Sequence, residues 1–281
     1  MSTLNQTYKE LGTPYFKDVF ELIDQVMKEH QLPYYLIGVS AIALKLLQKG
    51  IKPSRGTKDI DFAVMISSIH DFNQIVESLE NRGFEKVKAP WTFYAKQWKV
   101  AVDILPFGEI EQNDTVWFNE RYSDLHVLGF KEVMENSEIQ LIEEKIVHIP
   151  PLPGMILLKL VAWSDRPEER DNDLADILLI IKHYFDINSD LIYDHYFHIF
   201  PNEDEPFDEL RIAAEVLGME ARRFLQKSKN LEKRILNVLE RNLSDILQSR
   251  ISREWARREG WELEKSFGIL LAFSKGISQI K

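Results

Sequence analysis

Arg55-Gly56-Thr57-Lys58-Asp59-Ile60-Asp61-Phe62 is the stretch on which the reading of this chain turns. From Asp59 to Met65 apolar residues dominate, and the run predicts a strand with both acids on one face, because residues i and i+2 of a strand point the same way. At about 3.3 Å of rise per residue their Cα atoms stand roughly 6.6 Å apart. Two carboxylates so placed can converge on divalent cations, and two-metal phosphoryl chemistry holds its cations about 3.5–4 Å apart. Hard oxygen ligands suit Mg²⁺ or Mn²⁺. An Asp-x-Asp pair alone is also common on solvent-facing strands, so its neighbours decide its meaning.

Upstream, Tyr34-Tyr35-Leu36-Ile37-Gly38 predicts a short buried strand, and Ser40 opens a helical pattern through Leu47. The turn joining them, Leu36-Ile37-Gly38-Val39-Ser40-Ala41, would aim amides at an anion, as helix N-termini do, with the Ser40 hydroxyl as a further donor. A plain serine N-cap is the other reading. Downstream, Asp103 interrupts the apolar run Val100-Ala101-Val102-Asp103-Ile104-Leu105. An acid there is costly unless it is paired, metal-bound or on the open face of an edge strand.

Further out, Phe16 to His30 and Ile69 to Asn81 carry helical spacing, the second closed by Arg82-Gly83. Phe84 to Val87 and Trp98 to Leu105 predict strands, and Asp114 to Ile149 a mixture of short strands and turns. After Pro150-Pro151-Leu152-Pro153 the pattern is helical: Gly154–Ser164, Asp171–Tyr184, Phe207–Leu217, Glu220–Gln248 and Leu263–Ile277. The fold class expected is α+β (α/β). Residues 1–149 would form a mixed sheet with flanking helices, and residues 150–281 an all-helical domain.

Composition narrows the context. The 281 residues include no cysteine, which excludes disulfides and thiolate metal sites. No leader-like N-terminus and no apolar run of about 18 residues is present, so a cytoplasmic protein without a membrane span is expected. The net charge of −10 argues against coating of duplex DNA. Between Glu220 and Lys265, 12 Lys and Arg face 8 Asp and Glu; solvated helices of mixed charge explain this, and a patch for an acidic partner is the alternative.

Taken together, Gly38 and Ser40, Asp59 with Asp61, and Asp103 resemble the nucleotidyltransferase superfamily with the polymerase-β-like core. The closest likeness is to the AbiEii-type family, toxins of type IV toxin–antitoxin systems. There a Gly-Gly-(Thr/Ser)-Ala turn precedes an Arg-x-Thr-x-Asp-x-Asp-Phe strand, matched here by Leu36–Leu44 and Arg55–Phe62. The helical stretch Leu157-Leu158-Lys159-Leu160-Val161-Ala162, Asp165-Arg166 and Asp171 to Ile177 is similar to that family's Leu-Lys-Leu-x-Ala, Arg and Lys/Arg-Asp-x-x-Asp-Leu motif. Val39 stands where the family commonly has a second glycine, and Asn172 where it has Lys or Arg.

The resemblance implies an Mg²⁺- or Mn²⁺-dependent nucleotidyltransferase. Asp59, Asp61 and Asp103 would be catalytic and metal-binding; Gly38, Ser40, Arg55, Thr57, Lys159, Asp173 and Asp176 would bind the nucleoside triphosphate. Implied partners are that triphosphate, an acceptor hydroxyl on tRNA, protein or a small molecule, and a cognate antitoxin. The alternative is a nucleotide-binding regulatory module of the same fold that turns over poorly. Lys159 on its apolar helix would need a counter-charge, and a triphosphate could supply it, so the helical half is expected to complete the nucleotide site and to offer a surface for a partner. A structural lysine paired with Asp173 or Asp176 is the competing reading.

Overall fold

The computed structural model describes residue 11 and residues 15–52, 59–118, 123–143, 145–202 and 206–278. It divides into two compact units, Met1–Pro151 and Leu152–Lys281. The first is α+β and the second helical.

The first unit is built on a five-stranded sheet. Helix α1 (Phe16–Glu29) leads into β1 (Tyr34–Ile37), α2 (Gly38–Leu47), β2 (Asp59–Ile66) and α3 (Ile69–Glu80). A hairpin of β3 (Phe84–Lys86) and β4 (Thr92–Ala95) precedes β5 (Val100–Gly108). The strand order is β1-β2-β5-β4-β3. Only β2 and β5 pair in parallel; β1 with β2, β4 with β5 and β3 with β4 are antiparallel. The parallel pair sits at the centre because its connection carries α3 and the hairpin, enough chain for the crossover that parallel strands require.

One face of this sheet is core: Leu36, Ile60, Phe62, Phe93, Val102 and Ile104 are fully buried. α1 packs there, its Phe20 ring 6.0 Å from that of Phe62. The other face holds the acids. The pleat therefore separates a dry side from a wet one along β2 and β5, as period-two alternation dictates. Past the sheet, the region expected as short strands and turns resolves into two ribbons, β6 (Thr115–Phe118) with β7 (Ser123–His126) and β8 (Glu138–Ile142) with β9 (Lys145–Ile149), separated by α4 (Phe130–Met134).

Several bounds differ from the sequence reading. α2 begins at Gly38 rather than Ser40. Strand β4 falls in a stretch with no predicted element, because Pro90 and its short length hide it. In the helical unit, α5 (Leu152–Asp165), α6 (Asp171–Ile187) and α7 (Ser189–His195) precede α8 (Glu209–Leu225), α9 (Lys229–Leu243), α10 (Arg250–Glu259) and α11 (Leu263–Ser278). The expected stop at Leu217-Gly218 is not a stop, since α8 runs through it. Gly218 is a packing residue: a Cβ there would overlap the Phe273 carbonyl oxygen and meet Ile277 N at 2.9 Å. Gly276 mirrors it from α11, where a Cβ would overlap the Glu215 carbonyl oxygen and lie 2.9 Å from Met219 N. The break falls instead at Ser228, whose hydroxyl accepts from Leu231 N at 3.3 Å and caps α9. Among the described residues no helix is long and apolar enough to cross a membrane.

Candidate functional site

The three acids of the sequence reading reach one face by register. Asp61 on β2 is the direct partner of Asp103 on β5, and Asp59 of Ala101. Cross-strand neighbours share a face, so Asp59, Asp61 and Asp103 all point to the wet side. Asp59 is exposed, while Asp61 and Asp103 are half-buried. Their backbone neighbours Ile60, Val102 and Ile104 are fully buried on the opposite face.

The turn after β1 closes on the same acids. Ile37 pairs with Asp61 across the antiparallel β1–β2 ladder. The next residue, Gly38, has φ +66°, and a Cβ on it would overlap the Asp61 carboxylate. Glycine is required twice over, by the left-handed backbone and by the close approach. The first turn of α2 is thus held against Asp61. Val39 is half-buried, and Ser40 is buried with a hydroxyl that has no hydrogen-bond partner among the described residues. The first-turn amides of α2 are the backbone donors that a helix N-terminus offers to an anion. Arg55 and Thr57 lie outside the described residues.

Among the described residues no group of three or more His, Cys, Asp and Glu side chains is assembled to hold a metal ion. The donor chemistry of Asp59, Asp61 and Asp103 fits a hard cation, and their backbones stand side by side. Trp91 lies tilted at 5.6 Å from Phe118, and Trp98 tilted at 6.5 Å from Phe84, so each makes a ring contact within the unit.

The helical unit brings Lys159, Asp173 and Asp176 together. Lys159 Nζ donates to Asp176 Oδ2 at 2.8 Å and to Asp173 Oδ1 at 3.1 Å. Arg170 Nε donates to Asp173 Oδ2 at 2.6 Å. Burial pushes the Lys159 ammonium down, but the two carboxylates outweigh it and hold the group above its ordinary value. Burial likewise raises Asp173, and Lys159 and Arg170 outweigh it, leaving Asp173 below the usual carboxylate range. The counter-charge that the sequence reading sought in a triphosphate is supplied within the helical unit. The ammonium's need for a partner therefore no longer argues for nucleotide contact.

Two residues of the acidic face escaped sequence reasoning. Thr92 on β4 is the direct partner of Asp103, and Tyr94 that of Ala101. Only the strand assignment places them, and Thr92-Phe93-Tyr94-Ala95 is too short a pattern to announce itself.

No family model matches the chain, and no curated protein matches it. The AbiEii likeness therefore stands on its motifs alone. Among solved structures, the chain is similar at 15% identity and TM-score 0.41 to ANT(2")-Ia in complex with adenylyl-2"-tobramycin, over 63% of this chain and 90% of that one. A second is an antigenic nucleotidyltransferase-like protein from Paracoccidioides brasiliensis, at 16% identity and TM-score 0.40, over 82% and 93%. A third is the Thermotoga maritima CCA-adding enzyme complexed with tRNA, at 14% identity and TM-score 0.34, over 97% and 66%. Likeness at this level assigns no site or substrate.

Proposed function

We propose that the chain is a metal-dependent nucleotidyltransferase that moves a nucleoside monophosphate from a nucleoside triphosphate to an acceptor hydroxyl. The observation that carries this reading is the alignment of Asp61 with Asp103 across β2 and β5, with the Gly38 turn pressed against Asp61. Asp59 and Asp61 would hold Mg²⁺ or Mn²⁺, with Asp103 beside them. Bound there, the cation would neutralise phosphate charge and polarise the α-phosphorus.

The chain's own residues have distinct tasks in this reading. The amides of Gly38, Val39 and Ser40 orient the phosphates at the start of α2. Asp103 accepts the proton of the acceptor hydroxyl as its oxygen attacks the α-phosphorus. The bond from the α-phosphorus to the bridging oxygen breaks, and pyrophosphate leaves with that electron pair. Lys159, Asp173 and Asp176 enter the reading as nucleotide contacts only through the motif resemblance, and the toxin role and cognate antitoxin likewise.

The test is an incubation of the full chain with labelled triphosphates and Mg²⁺, offering total tRNA, the protein itself and cationic aminoglycosides as acceptors. Label on any acceptor, lost in Asp61→Asn, supports transfer. The regulatory-module alternative draws on Val39, whose side chain occupies the first turn of α2. It predicts magnesium-dependent triphosphate binding with no label transferred and no pyrophosphate released.

A further inference from the structure

The wet face of the sheet is a graded row rather than a cluster of acids. Ile37, Asp61, Asp103 and Thr92 are direct partners in succession across β1, β2, β5 and β4. At about 4.8 Å between strands the row spans roughly 14 Å. Beside it runs a second row of Asp59, Ala101, Tyr94 and Glu85. The two ends differ. Ile37 is buried under the turn at the start of α2, whereas Thr92, Tyr94 and Ala101 are half-buried and Glu85 is exposed. Ala101, with its small side chain and half-buried, separates Asp59 from Tyr94 in this row. Glu85 at its margin is paired with Lys96.

In-line displacement puts the attacking oxygen and the leaving pyrophosphate on opposite sides of the α-phosphorus. If the phosphates lie against the Gly38 turn, on the β1 side, the acceptor must come from the far side of Asp103. That side is β4. The geometry points to Thr92 and Tyr94 as acceptor-positioning residues: Thr92 flanks the hydroxyl that Asp103 deprotonates, and the Tyr94 ring carries the body of the acceptor over Ala101. This rests on the transfer reading above and adds a direction to it. The direct partner of Thr92 is Asp103, with Cβ atoms about 5 Å apart in such pairs. Tyr94 is one diagonal step further, about 7–8 Å, within reach of an aromatic ring.

The absence of cysteine allows a test that needs no known acceptor. Val39→Cys places one thiol in the first turn of α2, and Thr92→Cys and Tyr94→Cys place theirs on the sheet face. Alkylation by iodoacetamide is timed with and without Mg²⁺ and an equimolar mixture of the four α,β-methylene nucleoside triphosphates, which bind but cannot transfer. Saturating analogue should slow Val39→Cys about tenfold and leave Thr92→Cys and Tyr94→Cys unchanged. A bulky maleimide adduct on Tyr94→Cys should then keep the nucleotide-dependent rise in melting temperature. It should cut pyrophosphate release, followed with the natural triphosphates and total tRNA, the protein itself and cationic aminoglycosides all offered as acceptors, by about tenfold or more. Protection at Thr92→Cys or Tyr94→Cys, or an adduct that leaves release intact, overturns the assignment. Protection at none of the three thiols, or a wild type that releases no pyrophosphate, overturns the transfer reading itself, and this one with it.

Discussion

Gly38 lies so close to Asp61 that the site has no room for a side chain at the first residue of α2. Its positive φ adds a conformational cost for any other residue. Gly38→Ala should therefore push the Asp61 carboxylate aside. We expect a loss of about 1–3 kcal/mol in stability and a disproportionate loss of magnesium-dependent triphosphate binding. Denaturant melts and titration calorimetry on the same preparation separate the two effects. A variant that binds as the wild type does would show that Asp61 can move without consequence.

Asp61→Asn keeps the shape of the side chain and removes its charge. A triphosphate at a hundred times its Kd stabilises the folded state by about 2.7 kcal/mol through mass action. The magnesium-dependent part of that gain should vanish in the variant, while the melting temperature without ligand stays near that of the wild type. Persistence of the full shift would take Asp61 out of the ligand set.

Val39 is half-buried in the first turn of α2. If its side chain packs rather than blocks, Val39→Gly should cost a few tenths of a kcal/mol through helix propensity, plus the lost burial of its half-buried side chain, and leave triphosphate affinity nearly unchanged. Calorimetry decides. A large gain in affinity would favour the regulatory-module alternative.

Lys159 now has a prediction opposite to the one its sequence suggests. Lys159→Met would take the shared lysine cation from Asp173 and Asp176, both buried, while Asp173 keeps its bond to Arg170. Removing one partner of a buried ion pair costs about 3–5 kcal/mol, so thermal stability should fall steeply. Asp173 sits below its ordinary pKa, so its contribution is present above the usual carboxylate value and lost as pH falls through the folded one. Lys159 sits above its ordinary pKa, so its contribution is present below the usual lysine value and lost as pH rises through the folded one. The gap between wild type and variant should be widest near neutrality and narrow in acid. A constant gap across the acid range would contradict the pairing.

The crossing of α8 and α11 makes a cleaner stability prediction. Gly276→Ala drives a methyl into the Glu215 carbonyl, and backbone cannot swing away as a side-chain tip can. Overpacking of this kind costs about 1–3 kcal/mol or more. Gly260→Ala is the control: its φ is +67°, but nothing stands within 4 Å of a Cβ there. It should cost only the left-handed strain, about 1 kcal/mol. Equal losses would mean that α8 and α11 part more easily than their packing implies.

Elements that bury a continuous apolar face were legible in the sequence. α1 and α3 keep their helical spacing, and β2 and β5 keep apolar runs whose length fixes them as strands. Legible, too, was the sharing of one face by Asp59 and Asp61, because it follows from strand period alone. The pairing of Asp61 with Asp103 was not, since register between strands forty residues apart depends on the whole crossover. β4 was missed because it is short and follows Pro90, and Thr92 and Tyr94 gain meaning only beside β5. Gly218 misled because a glycine that ends a helix and one that lets another helix touch it look alike in one dimension. Lys159 misled differently. Its need for a counter-charge was readable, but the choice between Asp173, Asp176 and a ligand depends on the packing of α5 against α6.

Strand β3 is only three residues long, and two of them, Glu85 and Lys86, are exposed and charged. It forms the sheet margin beside Tyr94. A long apolar margin in that position would invite a neighbouring molecule to add a strand and extend the sheet. Short, charged margins discourage such edge-to-edge association. With two of its three residues charged and exposed, β3 is a poor template for a strand from a neighbouring molecule.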